Sequence, residues 1–512
     1  MSDLGSRRLT RRGVLGATGA VLLAGLGGAM LSACAAPAAP TAVPAKPAEA
    51  PKAAEAPKAT EAPKAVEAPK AAEAAKPTEA PKAAPTTAPA APGQTVNMTW
   101  FTPAAPGLEQ DFYTSFKDDF VKRNPGYKID VSFEAWNDYF VKLPTVLAGG
   151  ILPDVNHLHC SIAQDYGTKG AMKDMYPFID GDKLPRDMWF AALLKQMSDF
   201  KTHTKLWAVP KDSAAYGIYY NKEMFDKAKV EYPKMDWSLK DLAEVSKRLT
   251  FDKNGVPATD PKFDATKIAQ WGWQWMDPLP SGDVGFQFAA AWAGSWYSDD
   301  MQKAQFDDAK HVEYVQIMAD MRCVARSTPA AGDALGQGDA FRNGLVAMKV
   351  DHHQNVFFMN AEKKTFKYDC VLTPKGDFGQ FIGVACSGWT MPAKAKQPDH
   401  SWKFIKFLTS EEKQCEIVSS KRWASGVVKC EEKLMPNDNN PPNFKPVFLD
   451  PLIGKTAVKV DCIPYPPFLS EIKQVFTTEF DAVVNCGKVT AAEACKKAQP
   501  QIQALLDKGN KL

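Results

Sequence analysis

The stretch Thr95-Val96-Asn97-Met98-Thr99-Trp100-Phe101-Thr102 opens the segment that decides the fold. We interpret residues 95–102 as a strand, and residues 108–123 as a helix because their apolar side chains recur three and four positions apart. Two further strands are predicted at residues 128–134 and 154–159, with a helix at residues 138–148 between them. Alternating strands and helices predict an α/β fold in which helices cover both faces of a parallel sheet.

Ligands of such sheets bind at the carboxyl ends of the strands. That edge carries Thr102 after the first strand and Glu134 with Trp136 at the end of the second. The third strand contributes Asn156 and His157. We therefore expect these five side chains to contact a ligand.

The leader of the chain has the composition of an export signal. Two arginine pairs, Arg7-Arg8 and Arg11-Arg12, precede an uncharged run rich in Gly and Ala, which ends in Leu31-Ser32-Ala33-Cys34. The arginines resemble a twin-arginine signal, and the final four residues resemble the lipobox of bacterial lipoproteins. We expect residues 1–33 to be a signal peptide and Cys34 to carry lipid, so that the mature protein is anchored to a membrane outside the cytoplasm, in the periplasm or at the cell surface. A single transmembrane anchor is the alternative.

Residues 34–92 consist almost entirely of Ala, Pro, Lys, Glu and Thr after the cysteine, with units such as Glu55-Ala56-Pro57-Lys58-Ala59 recurring about every six residues. This segment has no aromatic side chain that could compensate for the entropy of ordering it. Its prolines oppose a continuous helix. The composition predicts a disordered linker between the lipid and the folded part.

The 420 residues from 93 to 512 exceed a comfortable single core, which predicts two lobes. The leader holds the chain's entire net charge of +3, so the remainder is neutral and gives no electrostatic reason to expect nucleic acid binding. Of ten cysteines, nine remain beside Cys34, an odd number that leaves at least one thiol unpaired within the chain. Cys486 and Cys495 are candidate disulfide partners, but the pairing stays open.

Five motifs, taken in chain order, then become specific. They are Leu152-Pro153-Asp154-Val155, Trp207-Ala208-Val209-Pro210, Tyr216-Gly217-Ile218-Tyr219-Tyr220-Asn221-Lys222-Glu223-Met224-Phe225, Phe341-Arg342-Asn343-Gly344-Leu345-Val346-Ala347-Met348 and Trp402-Lys403-Phe404-Ile405-Lys406-Phe407-Leu408. Together they resemble family 1 extracellular solute-binding proteins, the group of the maltose-binding protein.

The resemblance implies a clamshell like the type II periplasmic binding proteins, with two α/β lobes that close on a small solute. It also implies delivery of the solute to the permease subunits of an ABC transporter, no cofactor and a monomer. The implied first lobe comprises residues 93–211 and 382–425, and the second comprises residues 212–380 and 426–512. The chain would cross between the lobes near residues 210–216, 378–384 and 424–429.

Tryptophans and one tyrosine fall where this family places ligand contacts. Flat aromatic faces suit sugar rings, while amides and carboxylates bond sugar hydroxyls. Besides Trp136, the aromatic candidates are Trp273, Trp275, Trp292, Trp296, Trp389, Trp423 and Tyr465. The polar candidates are Glu134, Asn156 and Asp212. The alternative for many of these tryptophans is a place in the core.

One segment departs from the family pattern. Where sugar binders of the family usually carry a glycine and a tryptophan, this chain has Lys349-Val350-Asp351-His352-His353-Gln354. His353 therefore joins the candidates, and the solute could be more polar or charged than a maltodextrin, such as a metal, a polyamine or a peptide. Imidazoles suit zinc or copper, but no carboxylate stands at ligand spacing, so we expect no metal site.

A secreted carbohydrate-active hydrolase is the competing class, because Glu134 and Asp212 could approach across a cleft as a glycosidase pair does. The chain lacks a Gly-x-Ser-x-Gly elbow, a His-Glu-x-x-His helix and a phosphate loop. We expect no catalytic residue. The sequence predicts a lipid-anchored component of an ABC importer that binds a carbohydrate-like solute.

Overall fold

The computed structural model describes residues 95–148, 152–274, 284–330, 333, 335, 339–361, 366–437, 440–509 and 511, and every structural statement below concerns these residues. The predicted signal peptide, the lipidated Cys34, the linker and Trp275 lie outside the described residues. No described helix is both long enough and apolar enough to span a bilayer.

Strands and helices alternate along the described chain. The strands are β1 Val96–Pro103, β2 Tyr127–Glu134, β3 Val155–His159, β4 Val209–Pro210, β5 Ala214–Asn221, β6 Phe251–Asp252, β7 Ile268–Trp273, β8 Val346–His352, β9 Tyr368–Val371, β10 Phe381–Ala385, β11 Ser387–Thr390 and β12 Lys459–Cys462.

The helices cover the strands and fill the connections between them. They are α1 Leu108–Arg123, α2 Trp136–Ala148, α3 Cys160–Thr168, α4 Tyr176–Gly181, α5 Ala191–Met197, α6 Lys222–Ala228, α7 Leu239–Arg248, α8 Phe286–Trp292, α9 Ala309–Cys323, α10 Asn355–Ala361, α11 Pro398–Leu408, α12 Glu411–Ser419, α13 Val428–Leu434, α14 Asp450–Leu452, α15 Leu469–Val484 and α16 Ala491–Gly509. A 3₁₀ turn at Arg186–Met188 and a π-helical turn at Lys445–Leu449 complete the set.

The first five predicted elements are confirmed to within two residues. Strand β1 alternates buried and exposed side chains before it enters the core. Helix α1 buries Phe112, Tyr113, Phe116 and Phe120 on one face, and its acidic first turn and basic last turn complement the helix dipole. Local periodicity is thus sufficient to form these elements.

The first lobe is built on a five-stranded sheet in the order β2-β1-β3-β11-β4. Strands β1, β2 and β3 are parallel, as the alternation of strand and helix predicts. Strand β11 runs antiparallel to β3 and to β4. The sheet is therefore mixed and not wholly parallel, because two strands belong to the segments that join the lobes.

The second lobe is built on a seven-stranded sheet in the order β12-β10-β5-β8-β7-β6, with β9 also paired to β5. Its central strand β5 has seven of its eight residues buried, since helices and neighbouring strands enclose it. Helix α7 begins after Ser238, whose side chain forms a capping box with Asp241.

Two short passages connect the sheets side by side. The chain leaves β4 of the smaller sheet at Pro210 and enters β5 of the larger sheet at Ala214. It returns from β10 to β11 through Cys386 alone. Residues 382–385, which the resemblance assigns to the first lobe, are part of β10 and pair with β5 and β12 in the larger sheet.

The third passage lies later than the resemblance implies. Helix α13 stays with the first lobe, because Val427 bridges to Trp189 and the Cys415–Cys430 disulfide ties α13 to α12. The chain reaches the second lobe at Asn443, whose backbone N–H donates to Asp369. The passage thus falls after α13 instead of at residues 424–429.

A second disulfide joins Cys323 to Cys486 and closes a loop with a sequence separation of 163. The candidate pair Cys486 and Cys495 is therefore wrong, and Cys495 is a buried free thiol. The partner of Cys486 comes from the end of α9, which packs beside α15 in the folded chain.

We predict that the double substitution Cys323→Ala with Cys486→Ala lowers the free energy of unfolding by about 2–4 kcal/mol, because it frees a long loop in the unfolded chain. The matched control is Cys495→Ala, which removes a buried sulfur without opening a disulfide and should cost about 1 kcal/mol. Urea titration followed by tryptophan fluorescence measures both. Equal losses for the two proteins would contradict the assigned pairing.

Candidate functional site

A cavity of about 230 Å³ lies where the two sheets meet. The first lobe contributes the carboxyl ends of its strands and the first turns of α1 and α2, and the second lobe contributes β5 and the residues after β8. The lining residues are Pro103, Glu109, Tyr113, Trp136, His157, His159, Lys211, Asp212, Ala214, Tyr216, His352, Gln354, Ala385, Cys386, Ser387 and Trp423.

The floor of the cavity is a buried ion pair at the first passage between the lobes. The Lys211 Nζ lies 2.7 Å from Asp212 Oδ2 and donates to the Tyr113 hydroxyl at 3.3 Å. Burial acts to lower the pKa of Lys211, but the Asp212 carboxylate and the Tyr113 hydroxyl outweigh it and hold this pKa above its ordinary value. Lys211 is therefore a charged group inside the protein.

The same pair connects the two passages. Asp212 Oδ1 accepts from the Ser387 backbone N–H at 2.6 Å, and the Lys211 backbone N–H donates to the Ser387 carbonyl at 2.9 Å. Because residues 211–213 and Cys386 are the segments that link the sheets, the site floor and the hinge are made of the same residues.

Aromatic rings form one wall beside this floor. Tyr113 and Trp423 stack with ring centroids 5.5 Å apart and planes 19° apart. Trp389 lies beneath, 2% exposed, with its ring edge-on to Tyr113 and the Lys211 ammonium 5.4 Å from its centroid. Trp136, which is 50% exposed, stands at the rim.

The imidazole of His157 faces the cavity from the end of β3. Burial, the Lys211 ammonium and His159 lower the pKa of His157 well below its ordinary value. The ring is therefore neutral and presents one donor and one acceptor. Neither ring nitrogen has a hydrogen-bond partner among the described residues.

The second lobe closes the cavity with the segment that departs from the family pattern. Gln354 Nε2 donates to the Ser213 carbonyl at 2.8 Å, and the His352 ring lies 6.0 Å from that of Tyr216. Lys349 is buried and bonds the carboxylates of Asp339 and Asp351. These contacts place imidazole and amide groups at the position where a stacking tryptophan is typical of the resembled family.

Four predicted residues are brought together by this cavity: Trp136, His157, Asp212 and Trp423. Trp136 is the first residue of α2, not the last of a strand. Three other residues of the strand ends lie nearby but do not line it. Thr102 is buried and donates to the Pro103 carbonyl, Glu134 pairs with Lys142 at 2.6 Å, and Asn156 donates to the Pro153 carbonyl at 2.7 Å.

Asn156 and His157 differ because successive side chains of a strand face opposite sides of the sheet.

The other aromatic candidates lie away from the cavity. Trp273 and Trp296 are 0% exposed in the core of the second lobe, where Trp296 stacks on Phe306. Trp292 ends α8, with the ammonium groups of two lysines over its ring. Trp389 supports the wall from the core without lining the cavity.

His353 is buried beside the hinge. Its Nδ1 accepts from the Ala215 N–H at 3.0 Å, so its Nε2 carries the proton and donates to Glu431 at 3.3 Å. Both side chains are 0% exposed. His353 thus joins a β5 residue to α13 of the first lobe and does not face the cavity.

Tyr465 lines a second cavity of about 90 Å³, also between the lobes. Around this cavity Lys195 pairs with Asp461 at 3.2 Å, and Gln196 Nε2 donates to the Ile463 carbonyl at 3.3 Å. Both contacts join α5 of the first lobe to the β12 segment of the second. They hold the lobes together away from the first cavity.

Sequence reasoning missed Tyr113, Lys211, Glu109 and Ser387. Tyr113 has the helical spacing of a core residue, and only its place in the first two turns after β1 points to the sheet edge. Lys211 adjoins the predicted Asp212, and a lysine beside a hinge aspartate is a signal that could have identified it. The part of the chain that the structure describes contains no group of three or more His, Cys, Asp or Glu side chains placed to hold a metal ion.

The profile of a family described as bacterial extracellular solute-binding protein matches residues 105–414, more than half of the chain. The chain belongs to this family. The resemblance stated from its motifs is therefore confirmed, and the protein is a solute-binding protein.

Relatives and solved structures agree with this assignment. An uncharacterised ABC transporter extracellular-binding protein of Pyrococcus horikoshii is 22% identical over 352 residues, which cover 64% of this chain and 71% of the relative. A Listeria monocytogenes ABC substrate-binding protein in complex with cycloalternan has a TM-score of 0.67 at 23% identity and covers 81% of this chain and 100% of its own. A Thermotoga lettingae solute-binding protein bound with α-D-tagatose has a TM-score of 0.64 at 18% identity, covering 80% and 100%. At these identities the structural likeness establishes the two-lobed fold.

We predict that Asp212→Asn destabilises this solute-binding protein by about 3–5 kcal/mol, because it leaves the buried Lys211 ammonium without its countercharge while its amide oxygen still accepts from Ser387. The control is Asp461→Asn, which breaks the Lys195 pair, whose side chains are 53% and 40% exposed, and should cost less than about 1 kcal/mol. Chemical denaturation measures both. A loss for Asp212→Asn no larger than that of the control would contradict a charged, buried Lys211.

Proposed function

We propose that this protein captures a small sugar between its two lobes and delivers it to the permease of an ABC importer. The observation that carries the proposal is the cavity between the sheets, to which both lobes contribute and which meets the hinge residues Lys211 and Asp212. A ligand held there bonds both lobes at once, so that binding favours the closed form.

The lining suits a sugar. The rings of Tyr113, Trp136 and Trp423 offer flat apolar faces to ring C–H groups, and His157, Gln354 and Asp212 offer hydrogen bonds to hydroxyls. The volume of about 230 Å³ lies below the roughly 300–1,000 Å³ of pockets for drug-sized ligands, which favours a monosaccharide or short saccharide.

The structural relatives support the carbohydrate class. Besides the cycloalternan and tagatose complexes, mannobiose and mannotriose are bound in two of the similar structures. These ligands are known for those proteins, and we extend the class to this chain because the cavity offers the matching aromatic and polar groups.

The remaining parts of the proposal concern location and partners. The lipobox-like Leu31-Ser32-Ala33-Cys34 and the Ala/Pro/Lys/Glu linker support a lipid anchor that holds the binding lobes on a tether outside the cytoplasm. The closed lobes, as one monomer, would dock together on the permease. The protein requires no cofactor in this role and leaves the sugar chemically unchanged, in contrast to a glycosidase.

Thermal shift with a panel of neutral sugars, uronic acids, amino acids, peptides, polyamines and metal ions tests this function. We expect at least one neutral mono- or disaccharide to raise the melting temperature, because a ligand that binds only the folded state stabilises it by mass action. Chromatography of the incubated sugar should return it unaltered. Stabilisation by a metal, polyamine or peptide alone, or release of a hydrolysis product, would contradict the proposal.

We predict that Cys34→Ser moves the protein from the membrane fraction to the soluble fraction of the producing bacterium and abolishes metabolic labelling with radioactive palmitate, since the thiol that carries the lipid is lost. Fractionation with immunoblotting provides the measurement, and Cys495→Ala is the control. A variant that stays in the membrane fraction would favour the transmembrane anchor.

A further inference from the structure

His157 occupies an unusual position for a polar group. It lies on β3 at 1% exposure, with its ring adjoining the cavity. Its backbone is fixed because the Tyr139 hydroxyl donates to the His157 carbonyl at 2.7 Å. Register also fixes it, since His157 pairs with Trp389 between β3 and β11.

The neighbours of the imidazole are aromatic rings that leave its nitrogens unbonded. Trp136 and Tyr139 lie edge-on with centroids 5.5 Å away, and Trp389 lies at 6.0 Å. Among the described residues neither Nδ1 nor Nε2 has a hydrogen-bond partner. Because an unsatisfied buried polar group destabilises the folded state, this ring is poised for a partner from the cavity.

The charges around the cavity restrict what that partner can be. The lining contains one ammonium, Lys211, which is already bonded to Asp212. A second lining carboxylate, Glu109, accepts from the Ala105 N–H at 2.6 Å. An added carboxylate would meet two like charges and a cation that is already paired.

We propose that the bound sugar is uncharged and that His157 determines this specificity by bonding its hydroxyl groups, with one ring nitrogen donating and the other accepting. This inference rests on the sugar-binding function proposed above. A hydroxyl group both donates and accepts, so it satisfies either nitrogen of a neutral imidazole. A carboxylate only accepts and would leave the acceptor nitrogen unpaired.

Calorimetric titration of the purified full-length protein tests the inference with pairs of a neutral sugar and its uronic acid, such as glucose with glucuronate and galactose with galacturonate. We expect the neutral member of the pair that binds to be preferred by about 10-fold or more. The variant His157→Phe, which keeps a flat ring without nitrogens, should weaken binding of that sugar by about 10- to 100-fold. His157→Gln, which restores a donor and an acceptor, should recover part of the loss.

The control is His400→Phe, because His400 lies outside the cavity lining and bonds Tyr127 on the far edge of the first lobe. Melting curves without sugar should show His157→Phe at least as stable as the wild type, since no bond to a protein group is lost. Wild-type affinity in His157→Phe, or a uronic acid that binds more tightly than its neutral sugar, would overturn the inference and leave the proposed function intact. If His157→Phe fails to fold, His157→Gln and the wild-type preference decide. Failure of the wild type to bind any sugar would overturn the proposed function together with the inference.

Discussion

A charge buried at the junction of two sheets constrains this molecule. Lys211 stands where the chain leaves the smaller sheet, and its ammonium is buried among aromatic rings, so it needs a countercharge close by. Asp212 supplies that charge and uses its other oxygen to bond Ser387 in the returning passage. The two connections between the lobes are therefore fixed relative to each other. A ligand that contacts this pair touches the residues through which one lobe moves against the other, and binding and closure become one event.

The cavity above this pair combines two kinds of support. Its aromatic wall is anchored in the core, because Trp389 packs edge-on against Trp100, which in turn packs against Phe404 of α11. Its polar groups are held by backbone contacts, as with Gln354 on Ser213. Rigid rings and fixed hydrogen-bonding groups keep the site formed before a solute arrives, which reduces the entropy lost on binding.

Much of the first lobe could be predicted from the sequence because its signals are local. The periodicity of α1 gave its bounds as Leu108–Arg123, and the strand ends led to Trp136 and His157. The family motifs located the first passage and, with it, Asp212. Residue type alone could not show burial, so Trp273 and Trp296 were assigned to the ligand although both lie in the core. A strand or helix enclosed on every side carries no periodic signal that distinguishes a core face from a cleft face.

Long-range features could not be read from the sequence for a different reason. The disulfide between Cys323 and Cys486 joins residues 163 positions apart, and only the packing of α9 beside α15 brings them together. The late third passage depends on α13 remaining with α12, which the local sequence does not encode. Lys211 escaped notice because a lysine after a proline is typical of an exposed turn, whereas here an aspartate and a tyrosine keep it inside.

The account's central claim is that a sugar is held between the two lobes at the hinge, and a crystal structure of the protein with its bound sugar tests this most directly. We expect electron density for the sugar in the cavity, in contact with Trp423 and His157 of the first lobe and with Gln354 or Tyr216 of the second. Density for the sugar confined to one lobe, or outside this cavity, would contradict the account.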